Sequence, residues 1–482
     1  MIIPPSGYTS VGPPSTEIDW LAFLQGKLTE GRADRLRYAS YYEGEQQKMA
    51  FAQARYKTAF RDLFNDWRDN FCGLIIDSAT ERMRVDGFRV PSEGGGMSKD
   101  AKEFWQRNSL DSLANAVHLD AMVQGKAYVI VWADEEGEPI VTPVSAEEMA
   151  VQYKPGSLTE LEAAARFFMD AWGRTWVTLW TETYVYEVPL GKTEWEQGVR
   201  RPNPLGRVPV VPFHNRSRIN GDPYSDLHNV IPIQDALNKL TSDAILASEF
   251  AAWPQRWVTG LEIQEDENGN PVEPFNSGVD KLLQAKEPDT MFGQFEAADL
   301  KNYVNFINLL VQHLSSVSRT PSHYFLVNQG TAPSGEAIIS AEAGLVSKVK
   351  ERMLYFGEAW EQVIRLCFQI KKDKRAEEVS LETVWADPEY RTEAQHIDAL
   401  LKLKQLNVPE EILWMRAGFS STEIEAFREM RKDDAKEAKE VAELGPQAPE
   451  PGAPGAGKAA AMANKPPQGN SGNTARKLNE KK

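Results

Sequence analysis

Two amphipathic segments dominate the middle of the chain. Between residues 226 and 253, and again between residues 297 and 318, apolar side chains recur at steps of three and four. This period predicts a helix with one apolar stripe in each segment. The stripe positions are Ile233, Leu237, Leu240, Ala244 and Ala247 in the first helix, and Leu300, Val304, Ile307, Val311 and Leu314 in the second. At 1.5 Å per residue, each helix is roughly 30–40 Å long.

The stretch between these helices, residues 254–296, has a different pattern. Arg256-Trp257-Val258-Thr259 is rich in strand-forming side chains, and Asn268-Gly269 is a tight-turn signal because both residues tolerate positive φ. The sequence therefore predicts two long helices that carry a small β-containing tip. The alternative is an ordinary helical hairpin inside a globular domain.

A loop and a third, longer helix follow. Residues 319–335 contain Pro and Gly, and apolar positions from 336 to 371 again recur at helical spacing. Gly330 and Gly335 allow unusual backbone angles, and Pro333 suits a first helical turn. The end of this loop consists of Val327, Asn328, Gln329, Gly330, Thr331, Ala332, Pro333, Ser334 and Gly335. The pattern by itself is compatible with a plain helix–helix connector.

The flanking regions predict an α+β fold that is mainly α. Residues 16–225 begin with helical patterns and continue, from residue 126, with short β-like runs separated by turns, which is typical of an antiparallel sheet. Residues 208–213 contain two prolines and predict an extended connection. Residues 372–444 predict a short helical module. Residues 1–15 predict a flexible arm, and residues 445–482 a disordered tail with too little apolar content for a core.

Composition excludes several classes of protein. The 482 residues carry a net charge of −16, so the chain is not a generally basic nucleic-acid binder. The tail is different, with six Lys or Arg against two Glu, and could contact DNA or another protein, or simply be solvated. Two distant cysteines give no disulfide framework. The sequence contains no uninterrupted run of 18 apolar residues, so no membrane span is predicted.

A search for catalytic, cofactor or metal motifs predicts none. Gly452 to Lys458 has the spacing of a phosphate-binding loop, but Ala459 replaces the Ser or Thr that would hold Mg²⁺. The six histidines are scattered without a metal-binding spacing. Residues 266–269 lack the alternating ligands of a calcium loop. The chain is therefore predicted not to be an enzyme.

Four pieces of sequence, taken in order, resemble a known family. They are Asn215-Arg216-Ser217 with Gly221-Asp222-Pro223-Tyr224-Ser225-Asp226, then Trp253-Pro254-Gln255-Arg256, then Thr331-Ala332-Pro333-Ser334-Gly335-Glu336-Ala337, and finally Trp385-Ala386-Asp387-Pro388. No piece is specific alone, but their order across residues 20–430 resembles the portal (head-to-tail connector) proteins of tailed double-stranded-DNA bacteriophages.

The resemblance implies a domain layout. In that layout, a tunnel loop at Val327 to Gly335 narrows a central channel for DNA. A clip at the tip of the two stem helices contacts other proteins. The implied segments are a flexible arm at 1–15, a wing at 16–225, a first stem helix at 226–253, a clip at 254–296, a second stem helix at 297–318, a tunnel-loop region at 319–335, a long wing helix at 336–371, a helical crown at 372–444 and a basic tail at 445–482.

The resemblance also implies a function and partners. Portal proteins form a homo-oligomeric ring, commonly a dodecamer, at one capsid vertex, where DNA passes through a central channel. The implied partners are the large terminase subunit, the major capsid and scaffolding proteins, the head–tail adaptor and double-stranded DNA bound without sequence specificity. The implied location is the virion, and the host cytoplasm during assembly. No cofactor and no membrane are implied.

Two sets of residues are candidates for these contacts. The clip candidates are Arg256, Trp257, Asn268 and Gly269, and the acidic candidates for the channel wall are Asp243, Glu249 and Asp299. Carboxylates facing a channel repel DNA phosphates, whereas a basic lining would hold them; the alternative is that these acids face solvent outside. Two other functions remain open: a capsid-associated adaptor without a channel, and a metal-dependent nucleic-acid enzyme.

Overall fold

The computed structural model forms two compact units, Met1–Lys402 and Leu403–Lys482. It describes residues 12–45, 69–93, 96–190, 198–219, 222–252, 256–260, 288–295, 299–325, 335–389, 393–419 and 421–443. Within these stretches, no helix combines the length and the hydropathy that crossing a membrane requires.

The first unit begins with helices that pack around one end of its core. They are α1 (Glu17–Thr29), α2 (Arg32–Tyr42), α3 (Phe71–Thr80), α4 (Lys99–Arg107) and α5 (Leu110–Gln124), with strand β1 (Val85–Arg89) between α3 and α4. Side chains set several of the starts. Thr16 and Asp19 form a reciprocal capping box at α1, and Asn70 accepts a hydrogen bond from the Gly73 amide at the start of α3.

Strands β2 to β9 form two antiparallel sheets, where the sequence predicted a single antiparallel series. One has the order β3-β2-β9 and the other β4-β5-β6-β7-β8. The ranges are β2 (Lys126–Ala133), β3 (Pro139–Ser145), β4 (Met149–Tyr153), β5 (Leu161–Met169), β6 (Thr175–Thr181), β7 (Tyr184–Leu190), β8 (Val199–Pro202) and β9 (Val210–His214). The predicted extended connection is therefore a strand, and it tolerates Pro212 because β9 lies at a sheet edge.

The two central helices lie close to their predicted bounds. Helix α6 (Ile231–Ala252) leads to strand β10 (Arg256–Thr259), and strand β11 (Met291–Gln294) leads to α7 (Leu300–Ser318). Strands β10 and β11 pair antiparallel, from Arg256 opposite Gln294 to Thr259 opposite Met291. The predicted pair of helices with a β-containing tip is thereby confirmed for the described residues.

The long helix α8 (Gly335–Ile370) runs through the centre of the first unit. Its residues Phe356, Trp360 and Val363 are fully buried. The Trp360 ring contacts Trp105 from α4 and Phe213 from β9, with ring centroids 4.9 and 4.7 Å apart. This helix therefore joins the helical layer to the three-stranded sheet, and the α+β prediction is confirmed.

The region predicted as one helical crown, residues 372–444, is divided. Strand β12 (Glu382–Trp385) pairs with β1, almost 300 positions earlier, so this part belongs to the core of the first unit. The boundary between the two units follows Lys402, within α9 (Glu393–Gln405). The second unit contains α10 (Glu410–Arg416) and α11 (Ser421–Glu443).

Candidate functional site

The tip ladder fixes the position of one predicted clip residue. The Trp257 indole lies directly over Gly293 on the paired strand, where any Cβ atom would overlap the ring. Any side chain at this position would therefore force the Trp257 ring or the strand to shift. Trp257 keeps about a third of its surface exposed, and Arg256 lies beside it in β10. Asn268 and Gly269, the other predicted clip residues, lie outside the described residues.

The three acidic candidates have different surroundings. Asp243 on α6 forms an ion pair with Lys239 one turn earlier, at 2.5 Å. Asp299 caps α7 by accepting a hydrogen bond from the Lys301 amide at 3.0 Å. Glu249 lies in α6, and its side chain is outside the described part. Asp243 therefore has a local counter-ion, and Asp299 has a structural role in starting its helix.

The candidate loop lies between a packed flank before it and the exposed start of α8 after it. Gly335 is the first residue of α8, and the other loop candidates, Val327 to Ser334, lie outside the described residues. On the near side, a short 3₁₀ turn (Ser322–Tyr324) is followed by Phe325, whose ring packs edge-on against Phe71 at 5.5 Å. The loop therefore leaves structure that is fixed by core contacts and enters a helix whose first buried side chain, among those described, is Glu342.

A buried cluster, named here the loop anchor, ties these two flanks together. It consists of Arg82, Tyr324 and Glu342. Arg82 Nη2 donates a hydrogen bond to the Tyr324 hydroxyl at 2.6 Å and lies 3.3 Å from the Glu342 carboxylate. The Tyr324 hydroxyl in turn donates to Glu342 at 3.5 Å. Because Tyr324 precedes the loop and Glu342 follows it, the cluster fixes both ends of the loop relative to the end of α3.

A second buried cluster, the helix junction, joins α8 to the segment that leads into α6. It consists of Asp226, Lys348 and Arg352. The two basic side chains each approach the Asp226 carboxylate to 2.9 Å, and all three side chains are almost fully buried. Lys348 Nζ also donates to the Ser318 carbonyl at the end of α7, at 3.3 Å. The junction therefore connects all three long helices.

Charge neutralisation explains how Asp226 stays ionised in the core. Burial alone would raise the pKa of Asp226, but Lys348 and Arg352 outweigh it, and Asn215 adds a hydrogen bond from its amide at 2.9 Å. The net effect holds the pKa of Asp226 below its ordinary value. Removing one member of this cluster would leave a buried charge without compensation, so the contact is costly to break.

Just before the helix junction, the backbone at Tyr224 passes very close to Gly125 at the end of α5. Gly125 ends α5 with φ +87°, and a Cβ there would lie 2.9 Å from the backbone of Tyr224. Ser225 then packs against α5, with its hydroxyl directed at the Met122 carbonyl at 3.4 Å. The motif from Asp222 to Asp226 therefore runs along the end of α5 and places the Asp226 carboxylate against α8.

Sequence reasoning missed most of these anchoring residues. Glu342, Lys348 and Arg352 fall on the same three-and-four spacing as the apolar stripe of α8, between Leu345, Val349 and Phe356. A charge within an apolar stripe predicts a buried ion pair, and that signal was available. The residues that pair with these charged side chains, Arg82 and Asp226, lie more than 100 residues away along the chain. No local sequence pattern identifies them.

The described residues show no arrangement for metal chemistry. Among them, no group of three or more His, Cys, Asp or Glu side chains is close enough to hold a metal ion. Cys72 and Cys367 are both fully buried free thiols. Burial raises the pKa of the Cys72 thiol to about 12, so it is protonated at neutral pH and packs as a small apolar side chain.

Comparison with known proteins identifies the family. Residues 25–440 match the family model described as phage portal protein, SPP1 Gp6-like. The portal proteins of Mycobacterium phage L5 and Mycobacterium phage D29 are each 29% identical to this chain over 392 residues, which cover 76% of this chain and 78% of each relative.

Two solved structures are also similar over most of the chain. One is from the virion of a native gene transfer agent particle, with 13% identity, a TM-score of 0.40, and coverage of 80% of this chain and 90% of that one. The other is from the neck of an empty particle of the same kind, with 11% identity, a TM-score of 0.43, and coverage of 77% and 91%. The family assignment rests on the sequence match, which spans most of the chain. The chain belongs to the SPP1 Gp6-like family of phage portal proteins, structural components of the virion at a capsid vertex.

Proposed function

We propose that copies of this chain form a closed ring around a central channel, through which double-stranded DNA is packaged, retained and ejected. Family membership supports the portal role. The observation that carries the ring is a second apolar face on α7. Phe306, Leu309 and Val317 are 49%, 44% and 48% exposed in the single chain, whereas Val311 and Leu314, on the neighbouring face that packs within the chain, are buried.

The spacing of these residues indicates one continuous surface. Phe306, Leu309 and Val317 fall within an arc of about 80° on the surface of α7, and the exposed His313 lies within the same arc. A helix that is apolar on two sides buries the second side against a partner. In a ring of identical copies, that partner is the hairpin of the neighbouring chain, and the contact is heterologous and closes by rotation.

Each part of the fold is assigned a role in the proposed ring. The α6–α7 hairpin is the stem, its β10–β11 tip is the clip, and the first unit before α6 is the wing. The helix junction connects the stem to the long wing helix at Lys348 and Arg352, so that the hairpin is held rigidly while its tip projects away. The second unit, with α10 and α11, is the main part of the crown.

The proposed channel surface is acidic and polar. Asp243, Glu249 and Asp299 on the stem face DNA, and repulsion between carboxylates and phosphates lets the duplex slide. The loop of residues 327–335 has no Lys or Arg and narrows the channel by shape and polar groups. The loop anchor supports this proposal, because Arg82, Tyr324 and Glu342 fix both ends of a loop that would otherwise be pushed aside by passing DNA.

The proposed partners follow from the ends of this assembly. The clip docks the large terminase subunit, whose ATPase drives packaging, and later the head–tail adaptor. The wing contacts the major capsid and scaffolding proteins. The portal family is a structural one, and the chain is proposed to have no enzymatic activity of its own.

Native mass spectrometry of the purified full-length protein, with negative-stain images of the same sample, tests the ring. We expect a closed ring of about twelve copies with a central hole. If the sample is monomeric, scaffolding and capsid proteins are added and the measurement is repeated. A chain that forms no ring even then contradicts the channel proposal and favours an adaptor without a channel.

A further inference from the structure

The second unit carries an open aromatic pocket. Trp414 and Phe419 both pack edge-on against Phe427, with ring centroids 5.5 and 5.2 Å apart. With Met430 and Arg431 these rings line a cavity of about 360 Å³ whose surface is almost entirely apolar. This volume lies in the range of small-ligand and peptide sites.

The pocket is open to solvent within the described part of the chain. Phe419 is 43% exposed and Met430 is 56% exposed. The Arg431 guanidinium lies over the Trp414 ring, 5.1 Å from its centroid, and also pairs with Glu410. The pocket is therefore a shallow, open surface with aromatic walls and one cation at its edge. Aromatic-lined grooves of this kind recognise extended proline-rich segments, whose preformed conformation costs little entropy to bind.

The sequence that follows α11 has the matching chemistry. Residues 446–454 read Pro-Gln-Ala-Pro-Glu-Pro-Gly-Ala-Pro, with prolines at 446, 449, 451 and 454. Prolines three residues apart lie on one side of a polyproline helix, which has three residues per turn. The segment contains two such pairs, and between them Glu450 carries the charge opposite to that of Arg431.

The length of chain permits this segment to reach the pocket. Helix α11 ends at Glu443, 13 residues after Met430, which is about 20 Å along the helix axis. The eight residues from Glu443 to Pro451 span about 25 Å in a polyproline conformation, which covers the return distance.

Charge favours the same association. Residues 403–443 carry ten carboxylates and seven basic side chains, whereas residues 445–482 carry six basic side chains and two carboxylates. The two parts therefore have net charges of opposite sign and attract each other.

From these observations we propose that the proline-rich segment 446–454 docks in the aromatic pocket of Trp414, Phe419, Phe427, Met430 and Arg431. Within one copy, Pro451 and Pro454 are far enough from the end of α11 to lie against the rings, with Glu450 beside Arg431. Docking would hold the start of the basic tail against the second unit, and would leave the basic residues from Lys458 onward to extend from a fixed point.

Photo-crosslinking in the full-length protein tests this proposal. The photoreactive amino acid p-benzoylphenylalanine replaces Met430, which lies at the exposed edge of the pocket, and in a matched control it replaces Lys432 on the other side of α11. After irradiation and digestion, mass spectrometry identifies the linked peptides. We expect the peptide containing residues 446–454 to link to position 430 at least fivefold more than to position 432. Replacing all four prolines by Ala should lower that yield at least fivefold.

The alternatives give different results. A link from position 430 to another segment of this chain overturns the proposal, and so does the absence of any link. A yield that survives the loss of all four prolines also overturns it. Mixing isotopically light and heavy protein shows whether the docked segment comes from the same copy or a neighbouring one; either result supports 446–454 as the occupant.

Discussion

The guanidinium of Arg82 lies 3.3 Å from the carboxylate of Glu342, although 260 residues separate them in sequence. The pair is buried, with side-chain exposures of 5% and 11%. Arg82 also donates to the Pro388 carbonyl at 3.1 Å, so three distant parts of the chain meet at one side chain. This relationship is what fixes the two ends of the proposed tunnel loop, and it makes the loop's geometry dependent on the core.

Replacing Arg82 by Met should therefore destabilise the protein strongly. The change leaves the Glu342 carboxylate buried without its partner, which costs about 3–5 kcal/mol in the free energy of unfolding. Urea unfolding followed by circular dichroism measures the loss. In the control variant Arg89→Met, the removed pair with Glu382 is solvent-exposed, and the loss should be below about 1 kcal/mol. Similar losses in the two variants would show that the loop anchor has no special role.

Replacing Asp226 by Asn should give a defect that depends on pH. The pKa of Asp226 in the folded protein lies below its ordinary value, near 4 in an unfolded chain. The ionised carboxylate therefore stabilises the fold fully above about pH 4, and this contribution is lost as the pH falls toward the lower folded pKa. We expect the variant to be less stable at pH 7 by about 3 kcal/mol or more, and the difference to narrow below pH 4.

Unfolding free energies of both proteins between pH 7 and pH 3 check this expectation. The control is Asp398→Asn, which removes an exposed pair with Lys402 and should change stability by less than about 1 kcal/mol over the whole range. A constant difference between the wild type and Asp226→Asn across this range would contradict the helix junction as an ionic connection.

The sequence predicted the long elements well and the connections between them poorly. Helical spacing alone located α6, α7 and α8 to within a few residues, because one buried stripe is enough to define a helix. Sequence patterns could not divide the strands into two sheets, because the alternation of apolar and polar residues in a strand does not specify which strand it pairs with. The pairing of β12 with β1 was missed for the same reason.

The candidate site was predicted only in outline. The tip was expected from Arg256 and Trp257, and the structure adds Gly293 as the residue that accommodates the indole. The charges of Glu342, Lys348 and Arg352 within the apolar stripe of α8 indicated burial, but the residues that pair with them could not be predicted, because the partners lie far away in the sequence. The partner of Lys348, for example, is Asp226, and the sequence around neither residue indicates that the two pair.

Replacing Gly293 by Ala should loosen the tip. The new methyl group would overlap the Trp257 indole, so the ring or the strand must move. Hydrogen exchange of the backbone amides in β10 and β11 should become faster by at least tenfold, while amides in α8 stay unchanged. Gly26→Ala in α1 is the control, since a Cβ there meets nothing within 4 Å. Unchanged exchange in the tip would mean that Trp257 does not hold the ladder in place.

Replacing His118 by Gln should reduce the sensitivity of the fold to mild acid. His118 accepts a hydrogen bond from Trp360 Nε1 at 2.8 Å and stacks on Phe356, and complete burial lowers its pKa to about 3. Because the unfolded chain binds this proton near pH 6.5, the wild type loses about 2 kcal/mol between pH 7 and pH 5 from this residue alone.

The Gln variant lacks this titration, so its lower stability at pH 7 should approach that of the wild type as the pH falls to 5. Thermal unfolding at several pH values measures the two curves, and parallel curves would contradict a neutral buried imidazole.

Replacing Phe306 by Glu should prevent ring formation while leaving the single chain folded. Phe306 is 49% exposed on the second apolar face of α7, so its loss removes few contacts within the chain, but a carboxylate there would be buried without a partner between neighbouring stems. Native mass spectrometry should show monomers or small oligomers in place of the ring, with an unchanged circular dichroism spectrum. The matched control is Asn305→Glu, a change to the same residue at the adjacent exposed position, which should still form rings. If Phe306→Glu assembles as well as the wild type, this face of α7 does not contact the neighbouring copy, and the ring must be closed by another surface.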